Sequence, residues 1–315
     1  MREILNKIIP KVSVLIPLYN CRNYIEEAIE SVLNQTFKNF ELIIVDNCST
    51  DDSYELIQKY KEDHRVKIFQ NETNIGMARN WNQCLLYAGG DYIKFLCADD
   101  YFRPDLLAVY VNVMDENSTV SLVTSRRVVL YGKKEEMIDI YFVGLKSGKE
   151  VYNDTILNYI NPIGEPTTVM FRRKHLYAGM FNADLHWMTD IDYWLRLCRE
   201  GDVYFLENTY CVFRQHEQQG TALLRNSDKL ILEERDMMYY NIFIRDADFN
   251  YDFHNYFRLI EAHLKKNFVG ISFSLLNKYL NPFFISKSIK LNFFSVDFFL
   301  KSLKHKIKKS IFHIP

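Results

Sequence analysis

Two adjacent carboxylates, Asp99 and Asp100, end the run Phe95-Leu96-Cys97-Ala98, and Asp91-Tyr92-Ile93-Lys94 precede it. The stretch reads as a buried strand running into an acidic corner. Neighbouring carboxylates repel each other and resist burial, so a strand that delivers both needs compensation. A hard divalent cation, Mg²⁺ or Mn²⁺, provides it, because such ions prefer carboxylate oxygen and keep positions open for phosphate. The structural alternative is a strand-to-helix turn in which the Asp side chains accept from backbone N–H groups. The acidic pair alone does not separate the two. Asp190 stands before Ile191, Trp194, Leu195 and Cys198, which fall at helical spacing. Its structural role there is cap or dipole stabilisation, worth ~0.3–1 kcal/mol.

The first hundred residues supply the elements that place these groups. Val12 to Pro17 reads as a strand, Ile25 to Leu33 as a helix with an N-cap at Asn23, and Glu41 to Asp46 as a second strand. A helix carrying Leu56, Ile57 and Tyr60, a strand over Val66 to Phe69, a helix over Ala78 to Ala88 and the strand to Asp99 follow. This β-α-β alternation predicts an α/β fold with a mainly parallel central sheet and right-handed crossovers. Ligands bind beyond the carboxyl ends of such strands, so Pro17, Tyr19, Asp46 and Asp99 are expected around one crevice. No G-x-G-x-x-G or G-x-x-x-x-G-K-[ST] follows the first strand, so a phosphate bound there needs a cation at Asp99. Further on, one or two strands are expected in 120–131, an irregular insertion with a short helix in 132–160, a strand at 167–171 and two short strands in 203–213. Asp192 and Arg196 are expected to pair at i, i+4.

The 315 residues carry a net charge of −1, which gives no drive toward nucleic acid. Residues 221–315 hold a net +6 and residues 1–220 a net −7. Six cysteines without C-x-x-C spacing suggest reduced thiols and argue against zinc. Residues 1–11 lack a signal-peptide core, and the longest apolar run, Leu106 to Val111, is six residues. A spanning helix needs ~20, so a cytoplasmic protein is expected. The chain is divided into a catalytic domain over 1–225 and a helical appendage over 226–315. Near its end Val296, Phe299, Leu300, Leu303 and Ile307 share a helical face bordered by Lys301, Lys304, Lys306, Lys308 and Lys309. That pattern suits an anionic membrane surface, or packing on the catalytic domain with a solvated basic face.

The motifs together resemble the family 2 glycosyltransferases of GT-A fold over residues 11–220. They run in order as Val14-Leu15-Ile16-Pro17-Leu18-Tyr19-Asn20, Val45-Asp46-Asn47-Cys48-Ser49-Thr50-Asp51 and Asn74-Ile75-Gly76-Met77-Ala78-Arg79-Asn80. Gly90 to Asp100, Gly164-Glu165-Pro166-Thr167, Asp190 to Arg196 and Phe213-Arg214-Gln215-His216 complete them. The resemblance implies inverting transfer of one sugar from a nucleotide-diphospho-sugar, expected to be a UDP-sugar, to a glycan or lipid-linked glycan acceptor in cell-surface polysaccharide biosynthesis. It implies that Pro17, Tyr19 and Asp46 hold the nucleobase, with Arg79 closing that pocket. Ala98 and Asp99 fall in the D-x-D segment, where Asp99 holds Mn²⁺ or Mg²⁺ against the diphosphate. Asp190 matches the catalytic base, and His216 with Arg214 reaches the diphosphate. Cys97 stands where the first aspartate of D-x-D is usual, and Thr189 where glutamate often precedes the base. The absence of Q-x-x-R-W favours single-sugar transfer over processive synthesis. Two rival readings are a nucleotide-sugar-binding module without turnover and a nucleotidyltransferase. The second wants a glycine-rich basic loop after the first strand, and Tyr19-Asn20-Cys21-Arg22-Asn23 is not one.

Overall fold

Strand β1, Val12–Leu18, buries every residue except Pro17, which is half-buried. A strand so apolar on both faces has to lie between two layers. The computed structural model describes residues 9–158, 160–216 and 219. The helical region expected over 226–315 lies outside them. β1 pairs in parallel with β2, Phe40–Asp46, on one side and β4, Tyr92–Phe95, on the other. β3, Val66–Gln70, adds to β2. Beyond β4 come β9 (Met170–Arg172), β6 (Val120–Tyr131), β10 (Asp202–Gln215) and the short β5 (Tyr101–Phe102).

The sheet is mixed. β9 runs antiparallel to both β4 and β6, and β10 runs parallel to β6. Two reversals therefore leave β1, β2, β3, β4, β6 and β10 pointing the same way. Their carboxyl ends share one edge, where the crevice was expected.

The two layers use alternate residues of β1. Val12, Val14, Ile16 and Leu18 join a core with Ile25, Ala28, Ile29 and Val32 of α1 (Ile25–Leu33) and Leu107, Tyr110 and Met114 of α4 (Leu106–Glu116). The other face carries an aromatic cluster. Phe95 of β4 meets Trp81 of α3 (Met77–Tyr87) and, edge-on, Phe181. Phe181 continues to Tyr193 and Trp194 of α6 (Thr189–Cys198), and Phe171 of β9 touches both. Aromatic pairs of this kind add ~0.5–1.5 kcal/mol each beyond area burial. They lock the helix that carries Asp190 to the strand that leads into Asp99.

Several local expectations change. No side chain caps α1: its first turn is held by Tyr24 and Ile25 N–H groups donating to the Cys21 carbonyl. The strand before Asp99 ends at Phe95, and residues 96–100 form a turn. The insertion is regular, with β7 (Lys134–Ile138) on β6, β8 (Gly144–Lys146) on β10 and α5 over Gly148–Asn158. The two short strands of 203–213 are one strand, β10, with register shifts between Leu206 and Cys211. α2 spans only Ser53–Ile57. No helix among the described residues is long and apolar enough to cross a membrane.

Candidate functional site

The acidic corner is built from three chain segments. Asp100 is fully buried; its Oδ1 accepts from the Arg214 backbone N–H at 2.9 Å and its Oδ2 from Thr167 Oγ1 at 2.5 Å. Thr167 Oγ1 also accepts from the Cys97 N–H at 3.1 Å. Burial first, and then the Asp99 charge, push the Asp100 carboxyl well above the usual carboxylate range. Asp99 is half-buried and faces His216, whose Nε2 lies 3.1 Å from its Oδ2. The Arg214 guanidinium donates to the Asp99 carbonyl at 2.8 Å and to Glu27 at 2.5 Å, and it lies over the Tyr24 and Tyr101 rings. Ala98 is buried beside them. Arg214 is thus held by the protein, its cation beside the corner.

Cys97, Asp99 and Asp100 bring one ligand atom each to within 4.8 Å of one another. The donor chemistry fits a hard cation. Two carboxyl groups converge, and Asp100 has both oxygens satisfied, whereas Asp99 engages His216 through Oδ2 and leaves Oδ1 as the open donor. Cys97 is a poor partner for such an ion, since burial holds its thiol protonated.

Pro17, Tyr19 and Asp46, expected around a nucleobase, lie at the ends of β1 and β2. Leu18 pairs with Asp46 in register, and the Asn47 N–H donates to the Leu18 carbonyl at 2.8 Å. Asp46 is fully buried and accepts from Ser49 Oγ (2.5 Å), the Ser49 N–H (3.1 Å) and Gln70 Nε2 (3.1 Å). It shapes the turn after β2, in which Cys48 adopts φ +59°. Tyr19 is 45% exposed, Pro17 half-buried. Arg79 is exposed on α3 with no hydrogen bond or ion pair to a described residue.

Asp190 occupies the first turn of α6, half-buried, its Oδ1 accepting from the Ile191 N–H at 2.8 Å. Burial raises its pKa to about 7; the Ile191 bond opposes this and the Glu165 charge adds to it. The helix N-terminus favours the carboxylate, but desolvation outweighs it here. Asp192 and Arg196 form the expected pair, Nη2 to Oδ2 at 2.9 Å, and both are buried. Trp194, Leu195 and Cys198 of the expected face are buried and Ile191 is half-buried, and burial extends around the helix to Tyr193 and Leu197.

The segment 164–168 links the two ends of the site, a role its motif in the sequence does not announce. Trp194 Nε1 donates to the Gly164 carbonyl at 3.0 Å, tying it to α6. Thr167 ties it to the acidic corner. Beneath, the fully buried Lys94 donates to the Thr167 carbonyl, and burial lowers its pKa to about 7. Glu165 pairs with Arg127 at 2.7 Å.

Residues 13–179 match the family profile described as "Glycosyl transferase family 2". The chain is 30% identical over 239 residues to an uncharacterised protein of Mycobacterium tuberculosis, covering 73% of this chain and 75% of that one. It is 34% identical over 193 residues to TuaG of Bacillus subtilis, named a putative teichuronic acid biosynthesis glycosyltransferase (61% and 73% covered). It spans 32% of a 35% identical uncharacterised glycosyltransferase of Rickettsia conorii, which in turn covers 64% of this chain. In fold it is similar to S. aureus TarS 1–349 in complex with UDP-GlcNAc, with TM-score 0.65, 22% identity, and 85% and 75% of the two chains covered. A second fold neighbour is the mannosyltransferase PcManGT of Pyrobaculum calidifontis in complex with GDP-Man and Mn²⁺ (TM-score 0.55, 17% identity, 91% and 81% covered). With the profile over more than half its length, strand ends carrying the motifs at one edge and a GT-A-like sheet beneath them, the chain belongs to glycosyl transferase family 2.

Proposed function

We propose that this protein transfers one sugar, with inversion, from a nucleotide-diphospho-sugar to a hydroxyl of a glycan or lipid-linked glycan. The observation that carries this is the single turn, 164–168, that joins the Asp99–Asp100 corner to the Asp190 helix. Inverting transfer needs those two functions on opposite sides of the reacting carbon, and no enzyme nucleophile. A divalent cation held by Asp99 would neutralise charge on the departing diphosphate. Asp190, with a pKa about 7, is matched to take the proton from the acceptor hydroxyl. Arg214 and His216 add positive charge or hydrogen bonding on the diphosphate side. Asp46 and the turn it organises, with Tyr19, Pro17 and Arg79, frame the nucleobase.

UDP-sugars are the preferred donors, supported by the TarS complex with UDP-GlcNAc. A cell-surface polysaccharide as the product is supported by the name of the TuaG relative. A lipid-linked acceptor fits the basic, Phe-rich pattern of residues 293–309, which rests on sequence alone. The experiment is a thermal-shift screen of UDP-, dTDP- and GDP-sugars with Mn²⁺, followed by nucleoside-diphosphate release from the best binder. Stabilisation by one nucleotide class and its turnover support the proposal; no stabilisation by any of them contradicts it.

A further inference from the structure

Glu165 sits on the turn that bridges the two ends of the site, and its carboxylate is unusually well prepared. Gly164 before it adopts φ +100°, a conformation glycine accepts freely, and a Cβ there would lie 2.8 Å from Thr168 Oγ1. The Asn161 side chain accepts from the Gly164 N–H at 3.0 Å. The Glu165 carbonyl accepts from the Thr168 N–H at 2.9 Å and from Thr168 Oγ1 at 2.8 Å. Its backbone is therefore fixed on both sides. Its Oε2 pairs with Arg127 Nε at 2.7 Å, and the side chain keeps 29% exposure. Oε1 makes no hydrogen bond to any described residue.

The position follows from connections. Two residues on, Thr167 holds Asp100; one residue back, the Gly164 carbonyl is held by Trp194 of the Asp190 helix. The Glu165 charge is felt on both sides, raising the proton affinity of Cys97 and Asp100 at one end and of Asp190 at the other. On the glycosyl-transfer reading the transferred sugar lies between the acidic corner and Asp190, the two ends that the 164–168 turn joins. Arg127 pairs with one oxygen, and a carboxylate whose other oxygen is free is a strong acceptor for sugar hydroxyls.

We propose that Glu165, held by Arg127 on the 164–168 turn, accepts hydrogen bonds from hydroxyls of the donor sugar and so sets which sugar is transferred. This rests on the glycosyl-transfer reading above. A site built to bond a hydroxyl discriminates against a sugar lacking it, because its acceptor is then left unpaired once the bound donor covers it.

The test separates sugar from nucleotide. Full-length wild type and Glu165→Gln are titrated calorimetrically, with Mn²⁺, with UDP, dTDP and GDP and with UDP-glucose, UDP-N-acetylglucosamine, dTDP-glucose and GDP-mannose. Glu165→Gln should weaken the nucleotide sugar that wild type binds at least tenfold and leave the matching diphosphate within twofold. Glu165→Asp, which keeps the charge but retracts it by one methylene, should show the same selective loss and serves if the Gln variant does not fold. Equal losses for sugar and diphosphate would make Glu165 structural and overturn the proposal. So would unchanged nucleotide-sugar affinity, including a case in which only the acceptor KM rises. A wild type that binds none of the diphosphates overturns the glycosyl-transfer reading itself, and this proposal with it.

Discussion

His216 Nε2 lies 3.1 Å from Asp99 Oδ2, across 117 residues of sequence. The contact closes the end of β10 onto the acidic corner and takes one Asp99 oxygen, leaving the other open to a cation. No glycine-rich loop after β1 offers an alternative cradle for phosphate, so nucleoside-diphosphate binding should depend on metal. EDTA, or Asp99→Ala, should weaken UDP binding at least tenfold, about 1.4 kcal/mol, by calorimetry. UDP affinity that is the same with and without a divalent ion would count against the assignment of Asp99.

Trp194 is 1% exposed, and its indole N–H holds the Gly164 carbonyl. Trp194→Phe keeps an aromatic ring but leaves that carbonyl without its donor. The expected cost is about 1–3 kcal/mol in urea unfolding. Turnover should fall with it, because the same bond sets the distance between the two halves of the site. A variant as stable as wild type would mean that the turn finds another donor.

Glu41 is 4% exposed in β2 and accepts from Ser13 Oγ (2.6 Å), the Gly89 N–H (2.7 Å) and Lys67 Nζ (2.6 Å). Burial acts to raise its pKa, but these three partners outweigh burial and hold it below the usual carboxylate value. A depressed folded-state pKa contributes stability that is complete above the unfolded value and is lost as pH falls through the folded one. The Tm difference between wild type and Glu41→Gln should thus be widest near neutrality and shrink below about pH 4, where the unfolded chain takes up its proton. A difference constant from pH 7 to pH 3 would remove the linkage.

Asp190 has the opposite sign. Its folded-state pKa, about 7, is raised above that of the unfolded chain, so ionising it costs stability as pH rises from about 4 toward 7. Asp190→Asn should therefore melt higher than wild type at pH 8 and lose that advantage near pH 4. The acid limb of wild-type kcat should fall near pH 7, as the base becomes protonated. An acid limb near pH 4 would contradict the raised proton affinity of Asp190 as the group that limits turnover.

The parallel half of the fold was legible because β1, β2 and β4 are buried on both faces and read as near-continuous apolar runs. The ends of those strands then located Pro17, Asp46 and Asp99 without further information. β7 was not legible: Lys134 to Met137 are all exposed, so no alternation marks the strand. β10 was read as two pieces because Glu207 and Asn208 interrupt it where its register slips against β6. Glu41 and Lys94 escaped notice because a charged residue in an apolar run gives no sign of the partner that satisfies it. Glu165 was visible as a motif, but its place between Asp100 and Asp190 depends on Thr167 and Trp194, contacts that only the folded chain makes.

The central claim is that Asp190 removes the acceptor proton while the donor is held elsewhere. Asp190→Asn keeps the shape of the side chain and an oxygen for the Ile191 N–H, and it removes the proton acceptor. Loss of a general base typically costs ~10²–10⁴-fold in rate. The decisive measurement is turnover of Asp190→Asn beside its UDP affinity, with the donor and acceptor that wild type uses. A fall of about 10²–10⁴-fold with UDP affinity unchanged is the predicted result; turnover within about threefold of wild type, less than ~1 kcal/mol of barrier, would contradict the account.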